Sequence, residues 1–391
     1  MKEQDLSITI NKLKESPLFN LSLSSSELFH SNFLYWVANN YKKEFGEMFA
    51  PYLKEVPSDL TIHNVYREKK NIDLSFSYQN GQEVFIENKV KSVPYIQQLV
   101  RYSNNNPNHN YILLSLSRPL FFDDLDIHGR ELDYKEIEGV KWHYISYEVL
   151  KVKLQSILVE INEHDEYHSK IITDYCNFIQ SLIEVKEFCK LKNYEKFDFY
   201  SKENNEVYKE LENIRLHDFY LKKKYEFLAF EVYKRLKNKG VRHRLISFGT
   251  PLDWESDSPI IYFSSGMTNT QGLMDLKYLI SERVALGIQI QGDQYRMVVE
   301  DRNEVTANSI KEILHEKGLW FNFSKNFGSS IKVYPIIRNK GFNKFGKAFF
   351  YKSVKLHRST TIDEVVNFIL SDFENIELNY DDIREITTAV H

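Results

Sequence analysis

Phe29, Phe33, Trp36 and Val37 recur at i, i+4, i+7 and i+8. That spacing is one face of a 3.6-residue period, and it predicts a helix over roughly residues 25–44, opened by Ser24-Ser25-Ser26. Residues 1–20 read as an earlier helix ending near Pro17. The pattern then changes. Leu60 to Glu68 predicts a strand, and Asn71 to Tyr78 and Glu83 to Val90 are β-rich runs separated by Gln79-Asn80-Gly81-Gln82, a hairpin signal. A helix from about Pro94 to Ser103 stops at the Asn104-Asn105-Asn106-Pro107 breaker. Tyr111-Ile112-Leu113-Leu114-Ser115-Leu116 suits a buried parallel strand. Trp142 to Ile145 adds another strand, and residues 146–190 read as helical. This order suits a mixed sheet flanked by helices.

The second half follows a polar, charge-dense stretch, Lys190 to Glu206. A long helix is expected over roughly residues 206–238, ending at Gly240, and then strands alternate with two further helices. Gly287 to Val299 reads as a hairpin turning at Gly292-Asp293. The expected organisation is one domain over residues 1–189, a linker over 190–205 and a separate α+β domain over 206–391. A chain of 391 residues fits two domains at roughly 150 residues each.

Composition narrows the class. With 42% hydrophobic residues, 27 Phe and 25 Tyr the chain has ample core, which excludes a disordered protein. Its two cysteines, Cys176 and Cys189, neither staple a fold nor build a cysteine-rich zinc site, and they suit a reducing compartment. No apolar run approaches the roughly 18 residues of a membrane span, and Met1-Lys2-Glu3-Gln4-Asp5 lacks the apolar core of a signal peptide. The expectation is a cytoplasmic protein without membrane association. A net charge of −4 argues against a generic nucleic-acid coat but permits a local basic cleft.

The candidate chemistry is in the first half: Asp73 on one strand and Glu87-Asn88-Lys89 on the next. Glu87 and Lys89 project to one face, and Val84, Ile86, Asn88 and Val90 to the other, which is mostly apolar. A carboxylate and a lysine among apolar residues are costly to bury unpaired. A hard divalent cation held by carboxylate oxygens would compensate. Register decides whether the two acids meet. A two-residue Asn80-Gly81 loop places Asp73 opposite Asn88, with Asp73 and Glu87 on different faces. A three-residue Gln79-Asn80-Gly81 loop places Asp73 opposite Glu87, and it wants a left-handed last residue, which Gly81 supplies. Clustered carboxylates should also raise at least one pKa. Glu-x-Lys by itself is a weak signal, since Glu68-Lys69-Lys70 and Glu184-Val185-Lys186 share it. Asp275-Leu276-Lys277 is a better decoy, but it has no evident acidic partner and lacks the hairpin partner and following helix of the first constellation.

The helix after the hairpin carries Gln98 and Tyr102, four apart on one face. Here the chain resembles the PD-(D/E)XK nuclease superfamily. Asp73 matches its first acid, Glu87-Asn88-Lys89 its (D/E)XK, and Gln98-x-x-x-Tyr102 is similar to the extra motif of the RecB-like branch. Upstream, Glu27 in Glu27-Leu28-Phe29-His30-Ser31-Asn32-Phe33-Leu34 looks like the motif I acid of a bacterial subfamily. Ile72 stands where the motif's proline would be. The resemblance covers about residues 20–150 and leaves 200–391 outside it. It implies an α/β nuclease core of αβββαβ order and Mg²⁺- or Mn²⁺-dependent phosphodiester hydrolysis. It makes Glu27, Asp73 and Glu87 metal ligands and Lys89 the water-orienting or charge-stabilising group. Gln98 would support the site, and Tyr102 would help position the substrate backbone. The implied substrate is nucleic acid, DNA first. Bacterial restriction or phage defence, and a homodimer or defence-system partner, are suggested by resemblance only.

Other readings stand beside these. Ser24-x-x-Glu27 is also a capping box. His30 reads as a surface or packed histidine. Arg67, Lys69, Lys70, Lys91 and Arg101 either grip phosphates or are solvated charges. Phe197 to Tyr200 either stacks bases or packs between domains. His164 and His168 share a face of an exposed helix, and His217 and Asp218 form a polar stripe within the long one. The alternative to an enzyme is a catalytically inactive nucleic-acid- or protein-binding module on a nuclease-like fold.

Overall fold

A computed structural model describes residues 2–23, 26–91, 96–122, 132–191, 206–239, 244–246, 260–268, 271–301, 304–323, 341–346 and 348–390. The chain divides into two compact units, Met1–Cys189 with Lys209–Tyr220, and Lys190–Tyr208 with Leu221–His391. The expected linker, including Phe197 to Tyr200, lies outside the described residues for nearly all its length.

The first unit begins with α1 (Lys2–Glu15), α2 (Pro17–Ser22), α3 (Ser26–Asn40) and α4 (Lys42–Phe49). The expected first helix is two, because Ser16 leaves helical geometry and caps α2, with Pro17 in its first turn. Strands β1 (Ile62–Lys69), β2 (Ile72–Tyr78) and β3 (Glu83–Lys89) follow, then α5 (Ile96–Asn105), β4 (Asn110–Ser115), β5 (Tyr134–Ile137) and β6 (Val140–Ser146). Two helices close the run, α6 (Tyr147–His164) and α7 (Glu166–Phe188). The sheet order is β1-β2-β3-β4-β6-β5. It is mixed: β3–β4 and β4–β6 are parallel, and the remaining pairs are antiparallel. The short edge strand β5, polar at Lys135 and Glu136, carries too little apolar pattern to read from sequence.

Two expected helices are broken by local chemistry. Asp165 is extended, and its carboxylate accepts the His168 N–H at 3.0 Å, so it separates α6 from α7. His164 therefore ends one helix while His168 lies in the first turn of the next, and they share no helix face. The second break divides the expected 206–238 helix into α8 (Glu206–Asn213) and α9 (His217–Asn238), with Arg215 left-handed at φ 55° between them. His217 and Asp218 thus open a helix instead of lying inside one. Gly240 lies outside the described residues.

The β2–β3 hairpin has the three-residue loop. Leu74 pairs with Ile86, Ser75 with Phe85, Phe76 with Val84 and Ser77 with Glu83. The Tyr78 N–H donates to the Gln82 carbonyl at 3.0 Å, and the Gly81 N–H donates to the Tyr78 carbonyl at 3.0 Å. Gly81 sits at φ 81°, a conformation open to a residue without Cβ. Continued by one pair, this register sets Asp73 opposite Glu87.

The second unit is built on a seven-stranded sheet: β7 (Arg244–Ile246), β8 (Ile260–Thr268), β9 (Gln271–Leu279), β10 (Val284–Gln291), β11 (Gln294–Asp301), β12 (Asn343–Phe345) and β13 (Phe349–Lys355), ordered β12-β13-β11-β10-β9-β8-β7. Only β7–β8 is parallel. Gln291 pairs with Gln294, so the hairpin turns at Gly292-Asp293 as the sequence predicts. Helices α10 (Glu304–Glu316), α11 (Ile362–Leu378) and α12 (Tyr380–Ala389) complete the unit. In Asp275-Leu276-Lys277, Asp275 accepts from Gln289 at 2.8 Å, and Lys277 does have an acidic partner, Glu300. Gly287 pairs with Lys277, and a Cβ there would meet the Lys277 stem, so the glycine leaves room for that stem to cross β10 diagonally towards Glu300.

Asp372 of α11 is fully buried; it accepts from the Tyr295 hydroxyl through Oδ2, and Oδ1 has no hydrogen-bond partner. Burial pushes its carboxyl up to about 7. A folded-state value above the unfolded one favours the folded protein while the group stays protonated. Stability from this group is full below about pH 4 and is lost as pH rises towards 7. Asp372→Asn keeps an acceptor for Tyr295 without the charge. It is expected to match wild type near pH 4 and to be more stable by roughly 2–4 kcal/mol at pH 8, checked by urea unfolding across pH.

Candidate active site

Strand β3 lies inside the sheet between β2 and β4, and its side chains are buried on both faces along most of its length. On one face Glu87 is only 2% exposed. Its Oε1 receives Gln98 Nε2 from α5 at 2.6 Å and Lys89 Nζ at 2.7 Å. Its Oε2 is buried without a hydrogen-bond partner. Gln98 Nε2 also donates to the Tyr102 hydroxyl at 2.9 Å, which donates to the Asn71 carbonyl at 2.7 Å. The i, i+4 pair on α5 therefore grips Glu87 at one end and the β1–β2 turn at the other. Asp73 accepts the backbone N–H of Asn88 at 2.7 Å. Glu27, in the first turn of α3, reaches from a different element to 3.9 Å from Lys89 Nζ.

The electrostatics follow from this crowding. Burial first, and then the nearby Asp73, push the Glu87 carboxyl up to about 7 despite Lys89. Burial also raises Asp73; the Asn88 N–H and Lys89 oppose the shift, while Glu27 adds to it. For Lys89, burial pulls down, but Glu87, Glu27 and Asp73 together win and raise it. The lysine stays charged while its partner holds a proton part of the time at neutral pH.

The structure brings Asp73, Glu87, Lys89, Gln98 and Tyr102 together, with Glu27 at the margin. It does not assemble three ligands: among the described residues no group of three Asp, Glu, His or Cys side chains is arranged to hold a metal ion. Tyr102 spends its hydroxyl on Asn71, so its visible role is to anchor α5. The flanking cations have protein partners. Arg67 bonds Asn32 and lies 5.0 Å over the Tyr35 ring, Lys69 pairs with Glu83 at 2.7 Å, Lys70 donates to Asn106 at 2.9 Å and Lys91 donates to the Arg215 carbonyl at 3.3 Å. Arg101 is exposed. Ser24 lies outside the described residues, so the capping-box alternative for Glu27 does too.

Sequence reasoning passed over the opposite face of β3. Asn88 is buried there and bonds Tyr147 and Ser31. The available signal was an amide among Val84, Ile86 and Val90, where only a bonded one is affordable. His30 is packed, 1% exposed, and burial followed by the Lys91 charge pulls it down to about 3, so it is neutral.

An acid pair with an adjacent lysine on a hairpin, gripped by a Gln/Tyr helix, defines a nuclease-like core. Residues 18–177 match the family model described as PD-(D/E)XK nuclease superfamily, and over that span the chain is similar to it. The matched span contains every residue of the candidate site. Comparisons with curated proteins and with solved structures return no match. No described helix is long and apolar enough to cross a membrane.

Proposed function

We propose that the protein is a metal-dependent nuclease that hydrolyses phosphodiester bonds, with DNA as its substrate and bacterial restriction or phage defence as its setting. The observation that carries this is Glu87. A buried carboxylate with one oxygen bonded by Gln98 and Lys89, and the other without a partner, is costly unless something takes that oxygen. A divalent cation fits the chemistry of the donor set: Asp73 and Glu87 would hold it, with Glu27 as the further ligand. Bound Mg²⁺ or Mn²⁺ would supply positive charge at the phosphate and lower the pKa of a water. Lys89 would keep its proton and place an ammonium beside the developing negative charge. Gln98 would hold Glu87 Oε1 in place, and the Gln98–Tyr102 pair supports a place in the RecB-like branch. A homodimer or defence-system partner would supply whatever the second unit recognises.

The lack of a three-ligand group among the described residues favours a second reading, an inactive nucleic-acid-binding module. Incubation with plasmid, single-stranded DNA and RNA separates them. Cleavage in Mg²⁺ or Mn²⁺ that EDTA abolishes is expected. Binding to the same substrates without cleavage in either metal would favour the module.

A further inference from the structure

Helix α8 ends in a Schellman motif. The Leu216 N–H donates to the Leu211 carbonyl at 2.8 Å, and the Arg215 N–H donates to the Glu212 carbonyl at 3.0 Å. Leu211 and Leu216, the pair whose apolar contact accompanies this motif, are both buried. The motif needs a left-handed residue just before its last, and Arg215 fills that place at φ 55°. Helix α10 closes in the same way. There the Leu319 N–H donates to the Leu314 carbonyl at 3.0 Å and the Gly318 N–H to the His315 carbonyl at 3.1 Å. The left-handed residue at that end is Gly318, at φ 63°. Glycine adopts this conformation freely, whereas in any other residue Cβ crowds the following carbonyl oxygen.

Arg215 therefore carries a backbone cost that glycine would avoid. Its side chain offers no structural return: it is exposed and takes no hydrogen bond or ion pair among the described residues. A strained backbone position of this kind points to use of the side chain. Its surroundings say which use. Residues Lys209–Tyr220 group with the first compact unit, although they lie well beyond the 18–177 span. The Arg215 carbonyl accepts Lys91 Nζ at 3.3 Å. Lys91 follows Lys89 by two residues, at most about 7 Å of chain. Lys89 Nζ in turn lies 2.7 Å from Glu87 and 3.9 Å from Glu27. Burial pulls the Lys91 pKa down; Asp218 and Glu27 oppose that shift, and the Arg215 charge adds to it. Two cations thus stand near one another at the edge of the acid cluster, and an anion relieves their repulsion.

We propose that Arg215 is a substrate-positioning residue whose guanidinium, set beside Lys91, grips a DNA backbone phosphate next to the one that is cleaved. Arginine suits this role because its fork of donors matches phosphate oxygens. The word cleaved rests on the nuclease reading; the phosphate contact itself does not.

The test compares wild type with Arg215→Gly and Arg215→Lys, each in the full chain. Glycine removes the charge and relieves the backbone, so Arg215→Gly is expected to melt about 2–4 °C higher. Its KM for plasmid cleavage in Mn²⁺ is expected to rise on the order of 10-fold at the wild-type kcat, because a contact away from the reacting bond is made equally in substrate and transition state. Arg215→Lys keeps both the charge and the strain, and is expected to recover most of the KM at the wild-type melting temperature. A second readout needs no turnover. Binding of a fluorescein-labelled DNA duplex in EDTA is followed by anisotropy across KCl concentrations. The slope of log K against log salt is expected to become shallower by about 0.9 in Arg215→Gly, the loss of one phosphate contact. Unchanged KM together with an unchanged salt slope, or an Arg215→Gly protein that melts below wild type, would overturn the proposal. Wild type that cleaves nothing, with the slope still shallower in Arg215→Gly, would count against the nuclease reading and leave the phosphate contact standing. Wild type that neither cleaves nor binds DNA would overturn both.

Discussion

Lys89→Met is expected to lower single-turnover cleavage on the order of 10²-fold or more, because it removes the ammonium that faces developing charge. Methionine keeps most of the stem's length. Lys89 also contributes to stability through its 2.7 Å pair with Glu87. Losing one partner of a buried pair costs about 3–5 kcal/mol when the survivor stays charged. Glu87, already raised to about 7, can take up a proton, so a smaller loss of roughly 1–3 kcal/mol is expected at neutral pH. Removing Lys89 raises Glu87 further, so a proton competes with Mn²⁺ near neutral pH; once Glu87 is ionised, Mn²⁺ affinity should hold or rise, since a like charge beside the cation is gone. Quenched-flow cleavage, thermal unfolding and calorimetry on one preparation check the three parts. Wild-type cleavage by a folded Lys89→Met would remove the assigned role of the lysine whatever the fold.

Asp73→Asn should lose cleavage equally but for another reason. One of the two hairpin carboxylate ligands is gone, so Mn²⁺ affinity should drop by at least about 10-fold, or roughly 1.4 kcal/mol. The amide oxygen can still accept the Asn88 N–H that Asp73 accepts at 2.7 Å, so the strand pairing should persist. Stability should move the opposite way. Asp73 and Glu87 are both raised in the folded protein, and each repels the other. Ionising them therefore costs folding free energy as pH rises from the ordinary carboxylate range towards 7. Without metal, Asp73→Asn is expected to melt like wild type near pH 4 and above it at pH 8. A lower melting temperature at pH 8 would show that the acids are less coupled than their burial implies.

Much of the first unit was legible because its signals are local. The Gln79-Asn80-Gly81-Gln82 turn, with glycine at its last loop position, specifies a register, and the register alone decides that Asp73 and Glu87 meet. Gln98 and Tyr102 were legible as a pair from helical spacing, and the structure puts both on Glu87's side. Other features depend on contacts that sequence spacing does not encode. Helix breaks at Asp165 and Arg215 come from a side-chain cap and a left-handed residue inside otherwise helical patterns. The Tyr102 hydroxyl goes to a backbone carbonyl 31 positions away. Lys277 reaches Glu300 only because Gly287, on a third strand, leaves room. Glu27 was read through a resemblance, and its distance from Lys89 shows it at the edge of the cluster.

Anomalous scattering from crystals of the full chain soaked in MnCl₂ tests the central claim most directly, since it locates the cation without requiring the right substrate. The expected result is a manganese peak bonded to Glu87 Oε2 and to an Asp73 oxygen, lost in Asp73→Asn crystals grown alike. Wild-type crystals with no peak at that pair at saturating Mn²⁺, or with Lys89 still bridging Glu87 and manganese bound only elsewhere, would contradict it.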